Sequence, residues 1–206
     1  MAFLIKFKLW KFSKHRTEAF SDGVFAIVIT LLILEIKIPE LKDHNSSKEL
    51  IHSLILISPK IISWVVSFFF VAVMWLHHHN VLRMADKIDY GVVWINNIFL
   101  MLVCFFPFPT ALMGEYPQNR FAVLLFGIAA TMASLMQNVF YGYIARNCLQ
   151  PNYNKINVLK NVRLSFILAP LLLIIAVPLS FISLWLPYLV YAIVPFFFLL
   201  PMDKDE

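Results

Sequence analysis

The feature that most constrains this chain is a succession of long apolar runs separated by short polar joints. A helix that crosses the roughly 30 Å hydrocarbon core of a bilayer needs about 20 such residues. Of the 206 residues, 61% are hydrophobic and only 14% are charged, which is more apolar surface than a soluble fold of this length can bury. We therefore expect an all-α integral membrane protein with no soluble domain, in which residues 1–206 form a single transmembrane domain.

Six spans are predicted, with both termini on the cytoplasmic side. Since each crossing takes about 20 residues, the runs are placed at about 17–38, 59–82, 90–113, 117–146, 162–180 and 181–201. Most of the 17 lysines and arginines then fall on the side of the termini, as the positive-inside rule requires. Because the basic excess is explained by topology, no nucleic-acid partner is expected.

Prolines and polar residues set the predicted boundaries. Pro39 is expected to stop the first span, and Pro107 with Pro109 is expected to end the third. The polar segment 147–161 is interpreted as a connection. Residues 1–15 alternate aromatic and aliphatic side chains with lysines, which favours an anchor at the membrane surface over a cleavable signal.

The first span opens with a polar motif, Arg16-Thr17-Glu18-Ala19-Phe20-Ser21-Asp22-Gly23. At about 1.5 Å per helical residue, Asp22 lies roughly 9 Å further into the span than Arg16. An ionisable group is costly at that depth and marks a bundle interior or a water-filled path. Alternatively, Asp22 pairs with a polar group of another helix and only fixes their packing.

Beyond Asp22, bulky apolar side chains recur along one face of the helix. Ile27, Leu31 and Leu34 are spaced i, i+4 and i+7, and Thr30 lies beside Leu31. A ring of such side chains from several subunits could close a pore by width and dewetting. The same spacing is typical of helices that face lipid or core, so periodicity alone leaves both interpretations open.

Polar side chains in the second and third spans are candidates for contacts between helices. His77, His78 and His79 follow Trp75, but consecutive helical residues diverge by about 100°, so three imidazoles of one helix cannot converge on one metal ion. A hydrogen bond to Ser21 or Asp22 is the favoured role, and a pH response is a further option. Asn96 is a candidate for an interhelical hydrogen bond.

The sequence lacks the motifs that mark several other classes of protein. The chain has no glycine-rich phosphate loop, no nucleophile elbow and no Thr-Val-Gly-Tyr-Gly filter. Its two cysteines are too few for a zinc site and are not expected to pair. We predict that the protein is not an enzyme, although a membrane enzyme with histidine ligands and a structural scaffold remain alternatives. No cofactor and no small-molecule substrate are expected.

These motifs together resemble the transmembrane protein 175 family of lysosomal potassium channels and its prokaryotic relatives. The resemblance covers the first three spans, and the later spans match only in number and hydropathy. The residues that carry it are Arg16, Phe20, Ser21, Asp22 and Gly23, then Trp75, His78 and His79, then Asp89, Trp94 and Asn96, and then Pro107 to Thr110. Asn80 departs from the family, whose members often carry a basic residue there.

The resemblance implies a homotetrameric channel in the plasma membrane, with modest preference for potassium over sodium. Its pore is lined by the first helix, with a constriction at Ile27, Leu31 and Leu34 and a selectivity layer at Thr30. Potassium permeates past Ile27 and Thr30, and no metal site is fixed. The polar network implied to hold the pore helix consists of Arg16, Ser21, Asp22, Trp75, His78 and Asn96. The alternative is a proton channel or proton-coupled transporter that uses Asp22 and the histidines.

Overall fold

The computed structural model describes residues 12–197, which form α-helices joined by short connections. No β-sheet occurs within this range, so the all-helical prediction is confirmed for it. The helices are α1 (Lys14–Leu31), which continues as a 3-10 helix (Leu32–Glu35), α2 (Ser47–Leu56), α3 (Ser58–Arg83), α4 (Tyr90–Cys104), α5 (Pro107–Glu115), α6 (Arg120–Asn147), α7 (Lys155–Leu179) and α8 (Trp185–Phe197).

Polar side chains cap the start of most of these helices. Ser13 accepts from the N–H of Arg16 at the start of α1, and Asp89 accepts from Val92 at the start of α4. Asn119 and Asn154 accept backbone N–H groups in the first turns of α6 and α7. Because the first N–H groups of a helix have no partner within it, these caps define where each helix begins.

The predicted end of the first span lies too far along the chain, and Pro107 has a second role that was not predicted. The first helix ends at Leu31 and continues only as 3-10 turns to Glu35, whereas the sequence predicted it to reach Ile38. Ile36 is already extended, and Ile38, which directly precedes Pro39, disfavours helical backbone, so the chain has left the helix before the proline. Helix α4 ends at Cys104, shortly ahead of Pro107, and Pro107 also begins α5, since proline at the first helical position lacks only a donor that would be unused.

The remaining spans fit the prediction more closely. Helices α3 and α6 match the second and fourth runs within a few residues, but α7 begins at Lys155, inside the segment 147–161 that was predicted as a connection. The last run is represented by α8, and the predicted residues beyond Phe197 lie outside the described range, as does most of the predicted surface anchor.

Four segments of the described chain are long and apolar enough to cross a membrane. They are Lys14–Glu35, Ser58–Arg83, Tyr90–Glu115 and Arg120–Asn147. The third of these contains both α4 and α5. The described chain is therefore that of a multi-pass membrane protein with four candidate spans.

Helix α1 packs against α3 and α4, and α6 packs closely against α7. The larger core brings the buried side of α1 together with α3, α4, α5, α6 and α8. A second core lies around the α3–α4 and α6–α7 connections. There the N–H of Asp86 donates to the carbonyl of Cys148 and that of Gln150 to Met84, at 2.8 and 3.0 Å, so the two connections are joined.

Candidate ion pathway and the polar network behind it

Helix α1 has two faces with different surroundings. Ser21, Phe25, Val28 and Leu32 are all buried and follow one another at helical spacing. Phe25 packs against His78 and Phe99, with ring centroids 5.6 and 6.0 Å apart. This face holds α1 to the bundle.

The opposite face carries the apolar stripe and is not covered by the chain. Ile27, Leu31 and Leu34 are 59%, 43% and 68% exposed, respectively. Large aliphatic side chains with this exposure require lipid or further protein to cover them, because water is a poor environment for them. The structure therefore places the three predicted constriction residues on one uncovered face.

Thr30 and Gly23 lie exposed on the same side of α1. The Thr30 hydroxyl contacts the carbonyl oxygens of Ala26 and Ile27 at 3.0 and 2.9 Å, so its hydrogen is used within the helix. Its oxygen lone pairs remain available to accept a hydrogen bond or to face a cation. Apart from its chain neighbours and the backbone of α1, no atom of the described residues lies within 4 Å of a Cβ built on Gly23, so the helix is open there.

A buried hydrogen-bonded chain connects α1, α3 and α4 behind the exposed face. The Nδ2 of Asn96 donates to the Oγ of Ser21 at 3.0 Å, and the Ser21 hydroxyl reaches the carbonyl of Thr17 at 2.9 Å. The Oδ1 of Asn96 lies 2.7 Å from Nε2 of His78. Since an amide oxygen only accepts, the proton of this bond is on Nε2 of His78.

The ring of His78 is held between two phenylalanines. Phe99 and Phe140 stack on it at centroid distances of 5.4 and 5.1 Å, with interplanar angles of 15° and 9°. This packing fixes the ring plane, and the bond to Asn96 fixes its rotation. His78 is therefore a rigid donor in the described chain.

Asp22 makes a separate contact with α3. Its Oδ1 accepts from the indole N–H of Trp75 at 2.8 Å, and both residues are exposed. The Trp75 ring also lies over His79, at a centroid distance of 5.9 Å. Asp22 is thus exposed and bonded to α3, rather than buried in the core of its own chain.

The three adjacent histidines point to three different neighbours. His77 contacts the ring of Tyr141 on α6 at 5.6 Å, His78 bonds to Asn96 on α4, and His79 lies beside Trp75 on its own helix. Their divergence is the one expected for consecutive helical residues.

Arg16 is the network residue that the structure leaves apart. Its side chain is exposed and makes no hydrogen bond or ion pair with any residue from 12 to 197, although its N–H is capped by Ser13. The nearby Lys14 instead donates to the carbonyls of Arg83 and Ala85 at 3.0 and 2.8 Å. Lys14 therefore caps the end of α3, a role that sequence reasoning missed.

Gln137 was also missed. Its Nε2 donates to the carbonyl of Met74 at 2.7 Å, which joins α6 to α3 inside the bundle. Gln137 is an uncharged polar residue in the middle of an apolar run, and that position was the signal available in the sequence. Phe140, which stacks on His78, lies one helical turn further along the same helix.

Comparison with known proteins gives consistent matches to one family. Residues 16–107 match the model of the family described as the endosomal/lysosomal potassium channel TMEM175. A potassium channel of Chamaesiphon minutus is 37% identical over 175 residues, which is 83% of this chain and 86% of that protein. The endosomal/lysosomal proton channel TMEM175 of Danio rerio is 27% identical over 190 residues, 89% of this chain and 36% of that protein.

A solved structure matches over nearly the whole chain. It is the crystal structure of a lysosomal potassium-selective channel TMEM175 homolog from Chamaesiphon minutus. The TM-score is 0.79 at 35% sequence identity, and the match covers 91% of this chain and 96% of that one. The predicted resemblance is confirmed by these matches.

Proposed function

Because this chain belongs to the TMEM175 family, we propose that it is a potassium-permeable cation channel whose pore is lined by α1. The observation that carries the proposal is the uncovered stripe of Ile27, Leu31 and Leu34 on a helix whose other face is fixed in the bundle. The names of the Chamaesiphon minutus relatives support potassium as the permeating ion.

The proposed channel is a homotetramer, because one copy of α1 cannot enclose a path. Cyclic symmetry brings the same face of each subunit to one axis, and the exposed stripes then form rings. In this arrangement Ile27 forms the narrowest ring, and Leu31 and Leu34 extend the apolar constriction. An apolar ring controls ion passage by its width and by excluding water, without carbonyl coordination.

Selectivity in this proposal is modest and resides at Thr30. Its hydroxyl hydrogen is committed to the helix, so the oxygen lone pairs face the path and can replace part of the ion's hydration shell. Such a layer lacks a rigid cage of oxygens. A preference for potassium over sodium therefore depends on partial dehydration.

The polar residues behind α1 are proposed to position the pore helix. In the core, α1 is held to α3 and α4 by the hydrogen bonds among Ser21, Asn96 and His78. At the exposed surface, the indole N–H of Trp75 on α3 donates to Asp22. Phe20, Gly23 and His79 complete the family motif around these contacts. We propose no role in positioning for Arg16 beyond the helix start.

A proton channel is the second candidate, favoured by the name of the Danio rerio relative and by the histidine in the network. The described contacts argue for a holding role instead. Asn96 separates His78 from Ser21, and a carboxamide does not accept and release a proton as a hydroxyl or imidazole does. The observed chain of bonds is therefore suited to joining helices.

The proposed topology keeps six spans, both termini in the cytoplasm and a plasma-membrane location, with residues 1–206 as one non-enzymatic channel domain. The four candidate spans and the positive-inside bias support it.

The purified chain reconstituted into liposomes tests the function directly. We expect a potassium gradient to drive flux, and the reversal potential in planar bilayers to follow potassium. Absence of potassium flux contradicts the channel. A reversal potential that follows the proton gradient and ignores potassium selects the second candidate.

A further inference from the structure

Helix α2 carries an apolar stripe that its own chain does not cover. The helix has no buried residue, although half of its length is large aliphatic side chains. The exposed ones are Leu50, Ile51, Leu54, Ile55 and Leu56. A helix with this composition in contact with water on all sides is unfavourable, so the stripe requires an apolar environment.

The orientation of α2 is the reverse of that of a helix on a soluble protein. The half-buried side chains are the polar Glu49 and Ser53, one helical turn apart, and the aliphatic stripe faces away. Soluble helices turn the apolar face inward. Helix α2 is therefore arranged for surroundings that are more apolar than the chain it lies against.

Hydrogen bonds on the polar side keep α2 in this orientation. The carboxylate of Glu49 accepts from the N–H groups of Lys42 and Asp43 at 2.9 and 3.1 Å, and Ser46 caps the helix through the N–H of Glu49 at 3.2 Å. The two loop N–H groups hold the pKa of Glu49 below its usual value, so the carboxylate is ionised at neutral pH.

The position of α2 along the chain fixes its level in the membrane. Only Ile57 separates it from α3, which is a candidate span. The N–H of Ile57 donates to Ser53 at 3.2 Å, and that of Lys60 donates to Ile57 at 3.0 Å. Because backbone hydrogen bonds continue through this joint, α2 lies where α3 enters the bilayer.

We infer that α2 is an interfacial helix, whose aliphatic stripe inserts at the boundary between lipid headgroups and acyl chains. Amphipathic helices bind at this depth by burying such a stripe. A second copy of the chain is a poorer occupant. At about 1.5 Å per residue the helix is about 15 Å long, so α2 alone cannot supply the roughly 800 Å² that each partner contributes to a stable interface. Contact of α2 with another subunit of the proposed tetramer is the outcome that the experiment below distinguishes.

Site-directed nitroxide labelling of the full chain in phosphatidylcholine and phosphatidylglycerol vesicles tests this inference. The background carries Cys104→Ala and Cys148→Ala, and single labels are placed by Ile51→Cys on the stripe and by the matched neighbour His52→Cys on the polar side. We expect the ratio of collisions with oxygen to collisions with a water-soluble nickel chelate to be severalfold higher at 51 than at 52.

Two results overturn the inference. Equal access of the nickel chelate to both labels places α2 in water, and exclusion of both reagents from position 51 shows that protein covers the stripe. Spectra of the His52→Cys label and of an Ile55→Cys label confirm that the helix is intact in the labelled chains. Collision rates do not depend on ion flux, so the result is independent of whether the channel proposal holds.

Discussion

His78 donates a hydrogen bond from Nε2 to the Oδ1 of Asn96 across 2.7 Å, and this contact joins α3 to α4 directly behind α1. The same amide donates to Ser21, so one side chain connects three helices. Loss of the Asn96 side chain leaves the buried imidazole donor of His78 without an acceptor, and it removes the contact that holds Ser21 to α4.

Asn96→Ala is expected to destabilise the bundle. Leaving a buried donor unpaired costs about 1–3 kcal/mol, and single interhelical hydrogen bonds in membranes contribute about 0.6 kcal/mol on average, so we expect a loss near 1 kcal/mol or more. Denaturant titration of the protein in mild detergent measures it. The matched control is Asn97→Ala, at an exposed neighbour, which should have little effect. Equal losses for both variants would refute a specific role for Asn96.

The contact between Asp22 and Trp75 is expected to couple α1 to α3. Trp75→Phe keeps an aromatic ring beside His79 and removes the N–H donor, and Asp22→Ala removes the oxygen that accepts it. A double-mutant cycle should give a coupling energy of about 1 kcal/mol, measured by thermal unfolding. Pairing Asp22→Ala with Trp94→Phe, at an exposed tryptophan of α4, should give no coupling. The same coupling in both cycles would argue against a direct bond.

Two glycines of the chain should respond oppositely to alanine. A Cβ at Gly91 overlaps the Tyr143 hydroxyl, so Gly91→Ala must displace that ring and should cost about 1–3 kcal/mol. Gly23 has open space around it, and Gly23→Ala should be neutral or stabilise α1 by about 0.5–1 kcal/mol. Comparison of the two melting temperatures provides the test. A destabilised Gly23→Ala variant would show that another subunit or lipid packs closely against that position.

The thiol of Cys148 is expected to be unreactive near neutral pH. Burial first, and then the neighbouring Asp89 carboxylate, raise its pKa to about 11, because both disfavour the thiolate. At pH 8 only about one thiol in a thousand is then ionised, against roughly one in four at the ordinary pKa near 8.5. Alkylation by iodoacetamide in a Cys104→Ser background, followed by mass spectrometry, should be slow at pH 8 and accelerate towards pH 11.

The control for that measurement is the same protein unfolded in detergent, where Cys148 should react at the rate of an ordinary cysteine. Rapid labelling of the folded protein at pH 8 would show that the α6–α7 connection opens readily.

Ile27→Asn tests the proposed constriction. In the proposed pore, four Ile27 side chains form an apolar ring. Replacing each with an amide side chain favours water in this narrow section, so potassium conductance in planar bilayers should rise. The matched control is Ile128→Asn, because Ile128 is similarly exposed but lies on α6. No change in the Ile27 variant would move the constriction elsewhere. A similar rise in both variants would indicate a general leak.

Hydropathy and capping residues predicted the described helices well where a helix boundary depends on residues that are close in sequence. The first turn of α4, for example, depends on Asp89 and the backbone that follows it. The start of α5 at Pro107 was missed because proline both ends and begins helices, and the outcome depends on α5 packing against α3. The start of α7 was missed because its first turns are polar, which hydropathy alone assigns to a connection.

The candidate site was predictable in its members but not in its pairings. Ser21, Asn96 and His78 stand out as polar residues in apolar runs, yet only the tertiary structure decides that Asn96 bonds both of the others. Asp22 and Trp75 are 53 residues apart, and nothing local indicates their contact. Arg16, which the family motif includes, makes no such contact in the described chain, because side-chain placement at a helix start depends on neighbours beyond the motif.

The residues of α1 fall into two groups, one on the buried face and one on the uncovered face, and only the first group is constrained by packing within the chain. Changes at Ser21, Phe25 or Val28 disturb the fold, whereas Ile27, Leu31 and Leu34 are largely uncovered by residues 12–197 of the same chain. Substitutions on the uncovered face are therefore expected to change the stability of the single subunit little. In the proposed pore arrangement, substitutions at these few positions would change the permeation path while the scaffold stays the same.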